Sequence, residues 1–558
     1  METDVTAFTQ SAFFLTSNGR PLSATCFAPD AVRGAVLFVP PFCEERKGAL
    51  PAFVQTARAL AGQQIASLVF DLSGCGDSAG DFEAVAPETF EADCEAAWAW
   101  LGDSFPACPL AVVGLRTGAL LAARLAARHP DTAALAAWSP VTGADFIRQL
   151  LQRRMVNDMV AYGKAQESRA ALEETLRRGG TVDLDGYPVT GGFYAWLQAL
   201  SPLPVRSAAL LFSGGHDEKT RAALAALSPR AQCPATRYPP FWNTVGHVDL
   251  AALTQETAAW LSERLSAGST VNVAEPPARQ ARCAGPEAAE LVTLPGPAAV
   301  RAILDAPAAP PRAGALFLHG WSGDRTGPHR LFTRFARQLT PRGYLCLRPD
   351  FNGRGLSGGE AADASIAGMA ANAQAALDAL RARLPPGAPV IVVAICSGCK
   401  VAVTLAAENQ DLARLLLWSP ESMGSLRSAA TGWLKTRNAL ATYARKLTRP
   451  ETWKKLLSGK VQAGLVTKAL VKHETRSAEE AAQEDATLAR FRSFRNPVLF
   501  VFGGSDPDAP GSSRAYARYC RTHAIPQSTH TVPHAGHSYY SAAWTGELFD
   551  VSFRFLSS

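Results

Sequence analysis

Short apolar runs recur along the chain, separated by longer stretches in which apolar residues return every three or four positions. "GAVLFVPP" (34–41), "IASLVFDL" (65–72), "PLAVVGL" (109–115) and "SAALLFSGG" (207–215) are runs of the first kind. They are rich in β-branched and small apolar residues and show no polar alternation. "ALPAFVQTARALAGQ" (49–63) is a stretch of the second kind. Uninterrupted apolar runs of this length read as strands buried on both faces, and the three-to-four spacing reads as amphipathic helix. Strands alternating with helices predict an α/β fold, a mostly parallel sheet covered by helices on both sides.

The pattern runs through the chain twice. "VLFVPPF" (36–42) matches "LFLHGW" (316–321), and "FDLSGCGDSAGDF" (70–82) matches "PDFNGRGLSGGEA" (349–361). "AVVGLRTGALLA" (111–122) matches "VVAICSGCKVAV" (392–403), and "AAWSPVTG" matches "LLWSPESM". "LLFSGGHDEKT" matches "LFVFGGSDPDA", and "TVGHVDL" matches "PHAGHSYY". The offset is 279 from Asp71 to Asp350, 280 from Trp138 to Trp418, 289 from Asp217 to Asp506 and 290 from His247 to His537. Ordered matches with a slowly growing offset mean two tandem copies of one fold. The expected domains are residues 1–268 and 286–558. The join between them, 269–285, is rich in Pro, Ala, Gly and Ser and reads as a linker, or else as an early strand of the second copy. Each copy carries a long amphipathic insertion after its "WSP", about 141–204 in the first and about 421–495 in the second. Insertions over strand ends commonly form lids.

In the second copy the order strand, tight turn, acid, histidine resembles the α/β-hydrolase fold. The turn is Ala394-Ile395-Cys396-Ser397-Gly398. A strand-to-helix elbow needs small residues two before and two after its nucleophile. Ala394 and Gly398 meet that need around Cys396, whereas centring on Ser397 puts Ile395 and Cys399 there. Cys396 is therefore the candidate nucleophile and Ser397 the alternative. His537 is the candidate base, with His534 behind it. Asp506 is the candidate orienting acid, with Asp508 behind it. The oxyanion is expected to meet the backbone N–H groups of Ser397 and Trp321. His319 reads as a residue that shapes the oxyanion loop. Glu45-Arg46 and Asp324-Arg325 hold equivalent places and read as structural ion pairs beneath that loop, with an anion contact by Arg325 as the alternative.

The first copy keeps Asp217 and His247 but has Arg116 at the apex of its elbow. Arginine stays protonated and is no nucleophile. Thr117 lies off the apex, and Pro41 replaces Gly320 in the oxyanion loop, although the Phe42 N–H remains as a donor. Two readings stand: a structural plug paired with Asp217 or Glu44, or a clamp for a carboxylate or phosphate. Hydrolysis by another residue such as Cys43 is a third. The stretches "FVPPFCEERKGA", "DLSGCGDSAGDF", "GLRTGALLAARLA", "WSPVTGADFIRQLLQRRM" and "PPFWNT" resemble the type 2 hydrolases associated with exosortase A systems. The second copy is similar to general α/β-hydrolases, nearest the companion type 1 group. The resemblance implies bacterial exopolysaccharide and protein-sorting gene clusters, beside acyl-activating enzymes and carrier proteins.

Composition narrows the rest. In 558 residues, 19% are charged and the net charge of +6 is spread along the chain, which gives nucleic acid no basic tract to meet. The first residues lack the basic start and apolar core of a signal peptide. No charge-free apolar stretch approaches the roughly 18 residues that span a membrane. Eleven scattered cysteines read as reduced thiols, so a cytoplasmic location is expected. No spacing suits zinc, and no metal or cofactor is expected. The expected activity is hydrolysis of a small ester or thioester through Cys396, His537 and Asp506, with coenzyme A or an acyl carrier protein as one form of acyl donor. Acyl transfer by the same residues and non-catalytic binding or scaffolding are the rival expectations.

Overall fold

The computed structural model describes residues 8–200, 205–212, 228, 230–244, 246, 248–265, 276–285, 287–295, 299–427 and 478–558. The chain forms two compact units, residues 1–390 with 539–550, and residues 391–538 with 551–558.

The larger unit contains an eight-stranded sheet. Its strands are β1 (Phe8–Ser17), β2 (Arg20–Pro29), β3 (Gly34–Val39), β4 (Ile65–Phe70), β5 (Leu110–Leu115), β6 (Ala134–Trp138), β9 (Ala208–Phe212) and β10 (Ala231–Gln232). A separate hairpin, β7 (Thr181–Leu184) and β8 (Tyr187–Thr190), lies in the insertion. The sheet order is β1-β2-β4-β3-β5-β6-β9-β10, antiparallel through the β2–β4 pair and parallel beyond it. Every residue of β3 is buried, which explains its unbroken apolar run. Val36 and Phe38 face the helices Glu45–Ala61 and Ala251–Arg264 through Phe53 and Leu261. Leu37 and Val39 face the helices Thr89–Ser104 and Thr117–Arg128 through Phe90 and Leu121. Strand β3 pairs with β4 on one side and β5 on the other. The winding reverses there, so the loops after β3 and β5 lie side by side at the carboxyl edge, where such folds place their sites. The first insertion is built from the helices Gly143–Tyr162, Arg169–Arg177 and Gly191–Ala199 with the hairpin.

The same unit holds the early strands of the second copy: β11 (Gln280–Ala284), β12 (Glu287–Leu294), β13 (Val300–Ala306), β14 (Ala313–Leu318) and β15 (Tyr344–Pro349). Their order, β11-β12-β13-β15-β14, repeats β1-β2-β4-β3 after one added strand. That added strand is formed by residues of the Pro- and Ala-rich join. The join packs through Cys283 into a cluster with Phe14, Ala289 and Ile303, and the Phe14 N–H donates to the Ala278 carbonyl at 2.9 Å.

Between these two sets of strands lies a buried ion network. Arg46 bonds Asp71 of its own copy and Asp324 of the other, both at 2.6 Å. Its counterpart Arg325 bonds Asp350 of its own copy at 3.2 Å and Asp77 of the other at 2.7 Å. Arg348 completes the network on Asp77 (2.7 Å) and Asp305 (2.9 Å). Arg330 donates to the carbonyls of Gly74, Gly76, Ser78 and Gly80. The arginines therefore pair across the copies rather than beside the acids that precede them, because consecutive side chains diverge. Buried between two carboxylates, Arg325 has a structural place, not an anion-binding one. Burial raises the Asp77 carboxyl, but Arg348 and Arg325 outweigh it and hold the group well below its usual range.

The smaller unit carries β16 (Val390–Ile395), β17 (Arg414–Trp418), β18 (Val498–Gly503) and β19 (Gln527–Val532), parallel and in chain order. Helices Gly398–Glu408, Ala478–Phe491 and Ala509–Thr522 connect or flank them. Of the second insertion, 428–477 lies outside the described residues. Among the described residues no helix is long and apolar enough to cross a membrane.

Removing one partner of a buried ion pair strands the others, at a cost of about 3–5 kcal/mol. Asp77→Ala, which leaves Arg325 and Arg348 each short of a carboxylate, is expected to lose stability of that order in urea unfolding at neutral pH. A carboxylate with a depressed folded pKa stabilises above its unfolded value, about 4, and less as pH falls. The gap between wild type and variant should therefore narrow as the solution is acidified. A gap that stays constant, or no loss at neutral pH, contradicts the network's role.

Candidate active site

The two elbows are built alike. The Arg116 N–H donates to Trp138 O at 2.9 Å, and the Cys396 N–H donates to Trp418 O at 3.0 Å. Both apex residues take a left-handed backbone, φ 55° at Arg116 and 58° at Cys396. Such a conformation costs a non-glycine residue about 1–3 kcal/mol and is held by its surroundings. In the first copy the surroundings are explicit: a Cβ on Gly118 would lie 2.3 Å from Val39 O, and one on Gly114 would lie 2.5 Å from Gly118 O. Ser397, by contrast, has φ −64° and opens the following helix, buried. The projecting residue of the second elbow is therefore Cys396, half-buried, rather than Ser397.

His537 and Asp506 meet as the sequence order suggests. His537 Nδ1 lies 2.7 Å from Asp506 Oδ2. Burial pulls the imidazole down, but Asp506 and Cys396 outweigh it and raise His537 to about 11. The alternatives fall elsewhere. The Asp508 N–H donates to Asp506 Oδ1 at 3.0 Å, next to the start of helix Ala509–Thr522. His534 is exposed on a left-handed turn residue.

A further pair, which the motif reading did not single out, stands beside the sulfur. The Cys396 thiol donates to Glu421 Oε1 at 3.3 Å, and Glu421 Oε2 lies 2.9 Å from Lys400 Nζ. Lys400 is wholly buried in the helix that follows the elbow and also faces Glu484 at 3.6 Å. In the sequence Glu421 marks only the first residue of the insertion.

The oxyanion-loop residues belong to the larger unit. His319 is buried and lowered to about 4 by that burial. Its Nε2 accepts the Phe351 N–H at 3.2 Å, so its proton sits on Nδ1 and is donated to Gly320 O at 2.7 Å. A neutral histidine so tied shapes the loop. The Trp321 carbonyl accepts from Arg354, whose guanidinium lies 5.0 Å over the indole ring.

Among the described residues, the apex of the first copy's elbow is packed in. Arg116 is 6% exposed; its Nε lies 3.3 Å from Glu45 Oε2, its Nη2 bonds Gln149, and its guanidinium lies 4.8 Å over Trp242. The partner is Glu45, not Glu44, because Glu45 is buried towards the elbow while Glu44 pairs with Lys47. Asp217 and His247 lie outside the described residues. The Phe42 N–H donates to Thr117 Oγ1 at 3.1 Å, so a side chain already occupies the donor expected to meet an oxyanion. Glu45, Arg116, Gln149 and Trp242 come from four of the stretches quoted above, which converge on one guanidinium. A cavity of about 330 Å³ in the larger unit is lined by Lys47, Arg58, Arg153, Trp242 and Arg354 among others, and Arg116 does not line it.

Elbows at the carboxyl edge of a doubly wound sheet, one facing a histidine–aspartate pair, define the α/β-hydrolase class of architecture. The alpha/beta hydrolase family model matches residues 315–550, and the serine aminopeptidase S33 family model matches residues 30–167. The chain thus carries two α/β-hydrolase domains, one in each half. No curated protein matches it. Among solved structures it is similar to Est1E from Butyrivibrio proteoclasticus with ferulic acid bound, at 17% identity over 48% of this chain and 100% of that one (TM-score 0.34). It is similar to the esterase Pf2001 of Pyrococcus furiosus at 16% identity over 48% and 90% (TM-score 0.33). It is also similar to the proline iminopeptidase of Mycobacterium smegmatis at 15% identity over 48% and 98% (TM-score 0.34).

If Arg116 plugs the first elbow, Arg116→Ala leaves Glu45 buried without its charge partner and costs about 3–5 kcal/mol. Adding Glu45→Gln should recover much of that loss in urea unfolding. Unchanged stability in the single variant, or no recovery in the double, contradicts the plug.

Proposed function

We propose that the second domain hydrolyses a small acyl ester or thioester through Cys396, His537 and Asp506, and that the first domain is non-catalytic. The observation that carries this reading is the cysteine at the strained apex of the elbow, beside a histidine that a buried aspartate holds and that the cysteine helps keep protonated. The Cys396 sulfur attacks the acyl carbon, and the carbonyl electrons move to oxygen. The backbone N–H of Ser397 is the proposed oxyanion donor within this unit. As the oxyanion collapses, the bond to the leaving group breaks, and His537 passes the former thiol proton to the departing alkoxide or thiolate. Water then attacks the acyl-cysteine, His537 takes its proton, and the acid leaves with the sulfur restored. Asp506 fixes the tautomer and stabilises the imidazolium throughout.

A thioester donor suits a sulfur nucleophile, because exchange between two sulfurs is nearly isoenergetic. The motifs shared with exosortase A-associated hydrolases extend the proposal to an acyl group on coenzyme A or a carrier protein, in a bacterial cytoplasm. In an acyltransferase the same acyl-cysteine would be resolved by an acceptor alcohol instead of water. Release of free acid from a model thioester with no acceptor present supports the hydrolase.

Cys396→Ala is expected to lower kcat/KM on such a thioester by about a thousandfold or more, while Ser397→Ala stays within a few-fold of wild type, as about a residue off the apex should. The opposite ranking makes Ser397 the nucleophile. The protonated form of His537, held up to about 11, persists through neutral pH, so loss of the imidazolium limits activity only on the alkaline side. Asp506→Asn removes the carboxylate that holds the proton and should move that limb down by about one pH unit or more. An unmoved limb contradicts the role given to Asp506.

A further inference from the structure

The Lys400–Glu421 pair is costly and the fold does not require it. A fully buried lysine is tolerated only when paired, and even then its desolvation offsets much of the attraction. The repeat supplies the comparison. At the positions displaced by 280, the first copy has Leu120 and Val141. Both are buried, at 2% and 8% exposure, within its apolar core. The same helix and the same post-"WSP" loop therefore pack well without charge. The charged pair occurs in the copy whose apex is a thiol, and it places a carboxylate oxygen 3.3 Å from the sulfur.

We propose that Glu421, its charge fixed by buried Lys400, is a specificity-determining residue: it favours acyl groups that bring a hydrogen-bond donor or cation beside the Cys396 sulfur and rejects acyl groups that carry a carboxylate. The inference rests on Cys396 being the nucleophile. Glu421 Oε1 lies 3.3 Å from the sulfur that carries the acyl group. Acylation forms the S–C bond, the bond to the leaving group breaks, and His537 gives that group its proton, so the sulfur has no hydrogen to share. The acyl chain therefore arrives beside a carboxylate oxygen that the sulfur cannot satisfy. A hydroxyl, amine or ammonium on the chain hydrogen-bonds it, an alkyl chain does not, and a carboxylate adds like-charge repulsion.

Lys400 holds the carboxylate at 2.9 Å, and the backbone that carries it is tied down. The Glu421 backbone carbonyl accepts from Tyr516 at 2.8 Å. The loop that follows it is tied to helix Ala478–Phe491, where Glu484 accepts the Gly424 N–H and Asp485 the Ser425 N–H, each at 2.6 Å. Lys400 is shared between Glu421 and Glu484, and Arg427 lies 4.0 Å from Glu484. Burial raises the Glu421 carboxyl, but Lys400 outweighs it and lowers the group to about 2, so it stays an anion at any working pH. It therefore acts through charge and hydrogen bonding and not as a proton carrier. With 35% of its side chain exposed, it remains open to an arriving acyl group.

The test uses the full-length protein and three N-acetylcysteamine thioesters of similar size: β-alanyl, butyryl and succinyl. Wild type is expected to rank them β-alanyl, butyryl, succinyl in kcat/KM, with about tenfold or more between the extremes, the scale of a lost or mismatched polar contact. Glu421→Gln should flatten the series by raising succinyl and lowering β-alanyl. The double variant Lys400→Leu with Glu421→Val, which installs the pair the first copy already packs, should flatten it equally while melting as a folded protein. An unchanged ranking in both variants overturns the inference, as does a uniform loss on all three substrates, which would mark Glu421 as a structural or positioning residue. Cys396→Ala separates the two levels. If it retains hydrolysis, the nucleophile assignment fails and this inference falls with it. If it abolishes hydrolysis and the ranking still ignores Glu421, only the specificity role fails.

Discussion

Everything at both sites depends on a turn that forces one non-glycine residue into a left-handed backbone. The turn joins the carboxyl end of a buried parallel strand to a helix, and it thrusts the apex side chain out past the end of the strand. Its geometry is the same in both halves, from the positive φ to the hydrogen bond that the apex N–H gives to a tryptophan carbonyl. Chemistry is then decided by which side chain the strain presents. A cysteine there meets a histidine; an arginine meets a buried glutamate, a glutamine and an indole face.

This common scaffold lets one chain serve as its own control. Where the second copy carries Cys396, Lys400 and Glu421, the first has Arg116, Leu120 and Val141. The first copy shows what the fold needs in order to pack, and the departures in the second show what has been added to it. The buried aspartates tell the complementary story. Asp71 and Asp350 each accept an arginine from their own copy, each receives a serine hydroxyl on its carbonyl, and each lies under a glycine with positive φ. Those groups are structural in both halves whatever the apex residue does.

Much of this was legible in the sequence, because it is local or periodic. Uninterrupted apolar runs marked the buried strands, and the repeat offset aligned Arg116 with Cys396, Asp217 with Asp506 and His247 with His537. Small residues around Cys396 identified the apex, since the turn's sterics act over only a few positions. What escaped is pairing between residues far apart in the chain. The exchange that sends Arg46 to Asp324 and Arg325 to Asp77 depends on how the strand sets of the two copies pack, which a one-copy register does not encode. Of the partners expected for Arg116, Asp217 lies outside the described residues, and in place of Glu44 the guanidinium meets Glu45, one residue along a helix whose facing was not readable. Lys400 and Glu421 were also missed, although a signal existed: a charged residue in an otherwise apolar helix face, aligned with leucine and valine in the other copy.

The central claim is that one elbow of this chain is chemically alive and the other is filled. Intact-protein mass spectrometry with peptide mapping, after brief exposure to p-nitrophenyl acetate or a hydrolase-directed acyl probe, tests it most directly. The account predicts a single acyl adduct on the peptide containing Cys396, lost in Cys396→Ala, with residues 1–268 unlabelled. Labelling of Ser397, an adduct at the first elbow, or an absence of any covalent adduct from a protein that still hydrolyses the ester would contradict it.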